Sequence, residues 1–207
     1  KQLQLNLIDG TLGIGHTRWA THGKPEERNA HPHLDGAGEL AVVQNGIIEN
    51  HEELRADLAK KGYAFTSDTD TEVIAHRIHF NLQAAGDFIG AVRMTVAELE
   101  GAYALAVMST NHPEQLVIAR QGAPAVVGIG IGENFVASDV AALLPVTRNF
   151  MFLDEGDVAL VERHQVTIWD EKGSVVERPL RESELDADAA ERGEFRHYML
   201  KEIYEQA

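Results

Sequence analysis

Residues 15–23 read GHTRWATHG and bring two histidines and a tryptophan around a single arginine, Arg18. No apolar periodicity runs through them, so the stretch is not built as a core element. An arginine fork matches a carboxylate bidentately. Thr21 adds a hydroxyl, and Gly23 lets backbone come close to a ligand. A carboxylate or amino-acid clamp is one reading. The other is a structural loop in which Arg18 pairs with one of the chain's 33 acidic residues.

Asn45-Gly46 follows the apolar run LAVVQ. An asparagine amide and a glycine N–H can aim at one oxygen, as in an oxyanion hole. Equally, Asn-Gly is a common tight turn. SDTDTE (67–72) sets Asp68, Asp70 and Glu72 at the start of a predicted helix. Acids suit the positive end of a helix, or one of them holds a ligand ammonium. His16, His22, His31 and His33 lie close in sequence, but no HExxH or other familiar ligand spacing occurs, so no metal and no cofactor is expected. GIGIGEN (128–134) lacks the third glycine of a dinucleotide loop and reads as a hairpin.

These groups need positioning elements. LGIG (12–15) reads as the end of a short strand, and LAVVQ (40–44) as a buried strand stopped by Asn45-Gly46. Residues 50–62 predict a helix capped by Asn50 with Glu53 as capping-box partner, Leu54 and Leu58 on one face, and Gly62 as its end. A second helix starts near Thr69 or Asp70. A third, in DFIGAVRMTVAELEG, carries Ile89, Val92, Val96 and Leu99 on one stripe. AYALAVMS, QLVIARQ, PAVVGIGIG, ENFVASD, FMFLDEGDVALVER and QVTIWDEKG read as short strands, with a short helix from Ser138. Helices followed by hairpins predict an α+β fold with at least one mostly antiparallel sheet.

Composition narrows the classes. The chain has 207 residues, a formal net charge of −15 and no cysteine. An acidic surface repels phosphate backbones, so no nucleic-acid partner is expected. No apolar run approaches the ~18 residues of a membrane span, and KQLQLNLIDG lacks the apolar stretch of a signal peptide. The expected compartment is the cytoplasm. Disulfides and thiolate metal sites are excluded. The chain opens on Lys1 and closes on FRHYMLKEIYEQA, where Phe195, Met199 and Ile203 keep helical spacing without a stop signal. Both ends therefore read as cut from a longer polypeptide. The acidic stretch ESELDADAAERG reads as a linker.

The segments GHTRWATHG, NAHPH, NGIIENHEEL, SDTDTEVIAH, EGAYALAVM and ENFVASD, in this order, resemble the glutaminase (type 2 glutamine amidotransferase) domains of the glucosamine-6-phosphate synthase family. The resemblance runs from about Gly13 to Asp157 and resumes at RHYMLKEIYEQ. HTRWATHG and HYMLKEIYEQ favour that family over the amidophosphoribosyl transferases and asparagine synthetases.

The resemblance implies an N-terminal-nucleophile hydrolase sandwich, αββα, with two antiparallel sheets between helix layers and its N-terminal strands missing from this chain. Residues 1–193 would be the amidotransferase domain, and 194–207 the start of a helical linker to an absent sugar-phosphate isomerase domain. It implies hydrolysis of the glutamine side-chain amide by an N-terminal cysteine whose own amine acts as base. Ammonia would pass to the isomerase domain for synthesis of glucosamine 6-phosphate from fructose 6-phosphate. The full-length synthase would be a homodimer. The nucleophile is not among these 207 residues, so the chain alone is expected to be inactive. The alternative is an inactive glutamine-binding or regulatory fragment. By the same resemblance Arg18, with Thr21 and His22 beside it, grips the α-carboxylate of L-glutamine or L-glutamate, and Asp70 pairs with the α-ammonium. Asn45 and Gly46 form the oxyanion hole. Residues 18–26 form a lid over glutamine, and Trp19 gates the ammonia route.

Overall fold

The computed structural model describes residues 10–184. After the two-residue strand β1 (His33–Leu34), the apolar run from Leu40 becomes β2 (Leu40–Ile48). β2 does not stop at Asn45-Gly46. Those two residues stay in register opposite Ala104 and Tyr103 of the next strand, so the dipeptide is strand and not turn. The reason is local: a glycine gives the strand the positive φ it needs there without ending the pairing.

The connection leaving β2 is the whole helical layer: α1 (His51–Lys60), α2 (Asp70–Ala85) and α3 (Phe88–Val96). Thr69 caps α2, its side chain accepting from the Glu72 N–H, and Gly86 ends it in the left-handed conformation. Asp87 caps α3 through the Gly90 N–H. α1 departs from expectation, since no side chain caps it. Asn50 instead reaches across to the α3 exit, donating to the Glu98 carbonyl (2.8 Å) and accepting from the Glu100 N–H (3.1 Å). α3 also ends before Leu99. Its deepest face is Phe88, Ala91, Val92 and Thr95, while Ile89, Val96 and Leu99 are half-buried beside it.

The chain then enters the predicted strands: β3 (Gly101–Ser109), β4 (His112–Gln121), β5 (Val126–Ile129), β6 (Asn134–Ala137), β7 (Asn149–Phe152), β8 (Val158–Val161), β9 (Val166–Trp169), β10 (Val175–Val176) and β11 (Leu180–Glu182). They form a seven-stranded sheet, β1-β2-β3-β4-β8-β9-β10, and a four-stranded sheet, β11-β7-β5-β6, both antiparallel in every pair of strands. GIGIGEN is the β5–β6 hairpin, closed by the Gly130 N–H on the Glu133 carbonyl.

Strand alternation divides the core. Tyr103, Leu105 and Val107 point from β3 into the helices, against Ile74, Ile78, Phe88 and Val92. Leu116, Ile118, Ala159 and Val161 point the other way and meet Val127 of the smaller sheet. Each such side chain contributes roughly 1.5–3 kcal/mol on burial. The far face of the smaller sheet packs Val126 and Phe150 against Leu143 and Leu144, beside a 3-10 turn (Val140–Ala142) capped by Asp139 rather than Ser138. The two antiparallel sheets and outer helix layer are those of the expected sandwich.

Leu12 and Ile14 are half-buried against the inter-sheet core but form no strand, because no neighbouring chain pairs with them among the described residues. The linker beyond Glu184 and the helix expected around Phe195, Met199 and Ile203 lie outside the described residues.

Asn50→Ala removes both bonds to the α3 exit without touching the core. It should lower unfolding free energy by about 1–2 kcal/mol, read as a fall in the denaturant midpoint with unchanged slope.

Candidate functional site

The exit of β2 is the floor of the site. Gly46 has φ +107, and a Cβ there would sit inside the Ala102 carbonyl oxygen, so no other residue fits. Asn45 precedes it and is exposed. Its side-chain oxygen lies 2.7 Å from His16 Nε2.

The wall is the N-terminus of α2. Asp70 is only 3% exposed. Its Oδ2 accepts from the Ile48 N–H (2.9 Å) and from Gln44 Nε2 (3.4 Å), which ties the helix to β2. Gln44 also accepts from the Thr71 hydroxyl at 2.6 Å. Oδ1 of Asp70 faces the His22 ring at 3.9 Å. The neighbouring acids do other work. Glu72 accepts from the Ser67 and Thr66 N–H groups (2.7 Å each) and from both hydroxyls. Burial pushes its carboxyl up, but these bonds and the His76 ring hold it well below the usual carboxylate range. Asp68 pairs with Arg28 at 2.7 Å and receives Asn29 Nδ2 at 3.2 Å. Of the three acids in SDTDTE, only Asp70 faces the site.

The roof is the loop carrying Arg18. Arg18 has φ +36, a left-handed conformation unusual for an arginine and costing on the order of 1–3 kcal/mol. Its backbone N–H donates to His16 Nδ1 (2.8 Å). Its guanidinium meets no acid among the described residues. Nη2 donates to the carbonyls of His22 (2.6 Å) and Gly23 (3.3 Å), and Nη1 to that of Lys24 (3.3 Å). Asn29, fully buried, anchors the far end of the loop by donating to the Lys24 carbonyl (3.0 Å) and accepting from the Asp68 N–H (2.9 Å). Gly23, at φ +73, packs against Asn29 so closely that a Cβ would strike its amide.

Arg18 thus reaches Asn45 through His16, and its guanidinium holds the carbonyl of His22, whose ring stands 3.9 Å from Asp70, beyond hydrogen-bond distance. Thr21 is exposed on the loop, and Trp19 is 92% exposed, its ring uncovered by any described residue. Reasoning from residue types missed two members. Gln44 reads as the polar end of an apolar run, yet it is buried and orients Asp70. His16 reads as one more histidine of a loop. The signal for each was a polar residue adjoining a named site residue.

The histidines pair instead of converging. His16 and His31 rings are 4.4 Å apart, His31 and His33 5.1 Å, and His22 and His51 4.6 Å. His31 Nε2 meets the Thr71 hydroxyl (3.2 Å) and His33 Nε2 that of Thr69 (3.0 Å). Burial, with the neighbouring His16, His33 and Arg18, pushes His31 down to about 3. Burial also lowers His33. A cavity of about 1040 Å³ opens beside His16 and Asn45 and runs between the sheets past Ala104, Ile118 and Phe135.

The asparagine–glycine pair of β2, the loop arginine and the buried carboxylate of α2 are thus held at one end of the larger sheet. Residues 4–177 match the glutamine amidotransferase domain model, and the chain belongs to that family. It is 58% identical over 204 residues to the glutamine–fructose-6-phosphate aminotransferase (isomerizing) of Idiomarina loihiensis, and equally to that of Shewanella oneidensis (strain MR-1). These alignments cover 99% of the chain and 33% of each relative, so the chain spans about a third of their length. Among solved structures, the glutamine phosphoribosylpyrophosphate amidotransferase of B. subtilis has a TM-score of 0.62 at 24% identity, over 77% of this chain and 35% of that one. That likeness supports the shared fold.

Unfolded, His31 takes up its proton near 6.5, and folded only near about 3. Between those values the unfolded state binds more protons, so stability falls as pH falls through the window. A His31→Gln variant should show a shallower decline of Tm with acid than the parent. Equal slopes would mean that His31 does not carry the effect.

Proposed function

We propose that this chain is the glutamine-hydrolysing domain of a glutamine–fructose-6-phosphate aminotransferase, supplying ammonia for glucosamine 6-phosphate synthesis. The observation that carries the reading is the linked set Arg18–His16–Asn45 and Arg18–His22–Asp70, built on Gly46. Glutamine at neutral pH carries one charge of each sign. Arg18, held among the described residues by carbonyl dipoles, presents its cation to the α-carboxylate. Asp70 Oδ1 offers the anion for the α-ammonium. Asn45 Nδ2 and the Gly46 N–H polarise the side-chain carbonyl and stabilise the oxyanion of the tetrahedral intermediate. Thr21, His22 and the exposed Trp19 belong to the lid that closes over glutamine, with Trp19 at the ammonia exit.

The nucleophile called for is a cysteine, which these 207 residues lack. The residues described here therefore bind, orient and stabilise, and turnover belongs to a polypeptide that also carries that cysteine. Residues 1–193 form this domain, 194–207 lead toward a sugar-phosphate isomerase domain, and the complete enzyme is a cytoplasmic homodimer. A binding fragment without turnover would need the clamp but not the oxyanion donors, so Asn45 and Gly46 favour catalysis.

Glutaminase kinetics in the full-length polypeptide test both halves of the site. Arg18→Lys replaces a fork by a point charge and should raise the KM for glutamine ~10-fold or more; an unchanged KM would remove Arg18 from the clamp. Asn45→Ala should lower kcat by ~10²–10³-fold. A normal kcat would end the oxyanion assignment.

A further inference from the structure

We infer that His16 is a positioning residue that locks the Asn45 amide in the one orientation able to serve an oxyanion, an inference that rests on the oxyanion reading of Asn45. The argument is one of donors and acceptors. The Arg18 backbone N–H can only donate, and it lies 2.8 Å from His16 Nδ1. Nδ1 is therefore the bare nitrogen of a neutral imidazole, and the ring proton sits on Nε2. Nε2 lies 2.7 Å from the Asn45 side chain, and an N–H needs an acceptor there. The amide must present Oδ1 to the ring. Its NH₂ then points away, with no hydrogen-bond partner among the described residues. Turning the amide over would set two donors face to face. Using the other tautomer would do the same at Arg18.

The ring itself is held. His31 packs on it at 4.4 Å and is fixed in turn by the Gln44 N–H (3.4 Å) and the Thr71 hydroxyl (3.2 Å). The β2 backbone already fixes where Asn45 starts, so the amide torsions are the freedom left for His16 to remove. An unrestrained amide would present its own oxygen to the developing oxyanion part of the time, which repels where it should attract. One imidazole also reads the strained backbone of Arg18. The loop conformation that delivers the guanidinium is thus the one that sets the tautomer, and the carboxylate and oxyanion halves are prepared together.

The test is a mutant cycle of glutaminase kinetics in the full-length polypeptide. His16→Asn keeps a group near Nδ1 but cannot reach Asn45. It should lower kcat ~10-fold or more with the glutamine KM little changed, as expected for loss of an orienting neighbour. His16→Gln places an amide N–H near Nε2 and should recover most of that loss. In an Asn45→Ala background, His16→Asn should cost no more than ~2-fold, because the bond it breaks is already gone. Equal losses from His16→Asn in both backgrounds, equal losses in His16→Asn and His16→Gln, or a rise in KM at constant kcat would each overturn the positioning role. Those outcomes leave the oxyanion reading standing. A normal kcat for Asn45→Ala alone would overturn both.

Discussion

The bond from the Ile48 N–H to Asp70 joins the two halves of this site. Asp70 is at once the first residue of α2 and a partner of β2, so the helix layer and the larger sheet meet at one buried carboxylate. A lone buried carboxylate is expensive. Here a backbone donor, the Gln44 amide and the positive end of a helix offset that cost. These leave Oδ1 directed at the loop. The partners that make Asp70 tolerable inside the fold thus all bind Oδ2, and Oδ1 is left to the loop side.

The same division of labour recurs along the α2 entry. Thr69 caps the helix, Glu72 gathers the Thr66 and Ser67 donors, and Arg55 takes the Ser67 and Thr69 carbonyls (3.1 and 2.7 Å). Asp68 binds the 24–29 segment through Arg28 and Asn29. The polar residues of the α2 entry thus bind one another, Arg55 and the 24–29 segment, and the roof loop is anchored to the helix that forms the wall. A loop without regular structure keeps one geometry when its ends are tied in this way.

Much of this was legible in the residues. α2, with its Thr69 cap and Gly86 end, and the hairpins of the second half follow from local rules, because each element's signal lies inside it. Asn45-Gly46 was legible as a pair but ambiguous as structure. Whether it turns or continues depends on β3, which is fifty-odd residues away and supplies Tyr103 and Ala104 opposite. Asn50 failed as a cap for the same reason: its better partners, Glu98 and Glu100, are brought near only by the tertiary fold. Local patterns reveal what a residue could do. Competing long-range partners decide which option it takes.

The charge distribution supplies the last step. In a chain of net charge −15, Arg28, Arg77, Arg120 and Arg178 are engaged by carboxylates. Arg18 is held by three carbonyls of its own loop. Carbonyl dipoles orient a guanidinium and offset part of its desolvation, but they do not cancel its charge, and a carboxylate would. Asn29, bonded to the Lys24 carbonyl and the Asp68 N–H, fixes the far end of the loop that carries those carbonyls. Among the described residues, no carboxylate pairs with the guanidinium held on these carbonyls.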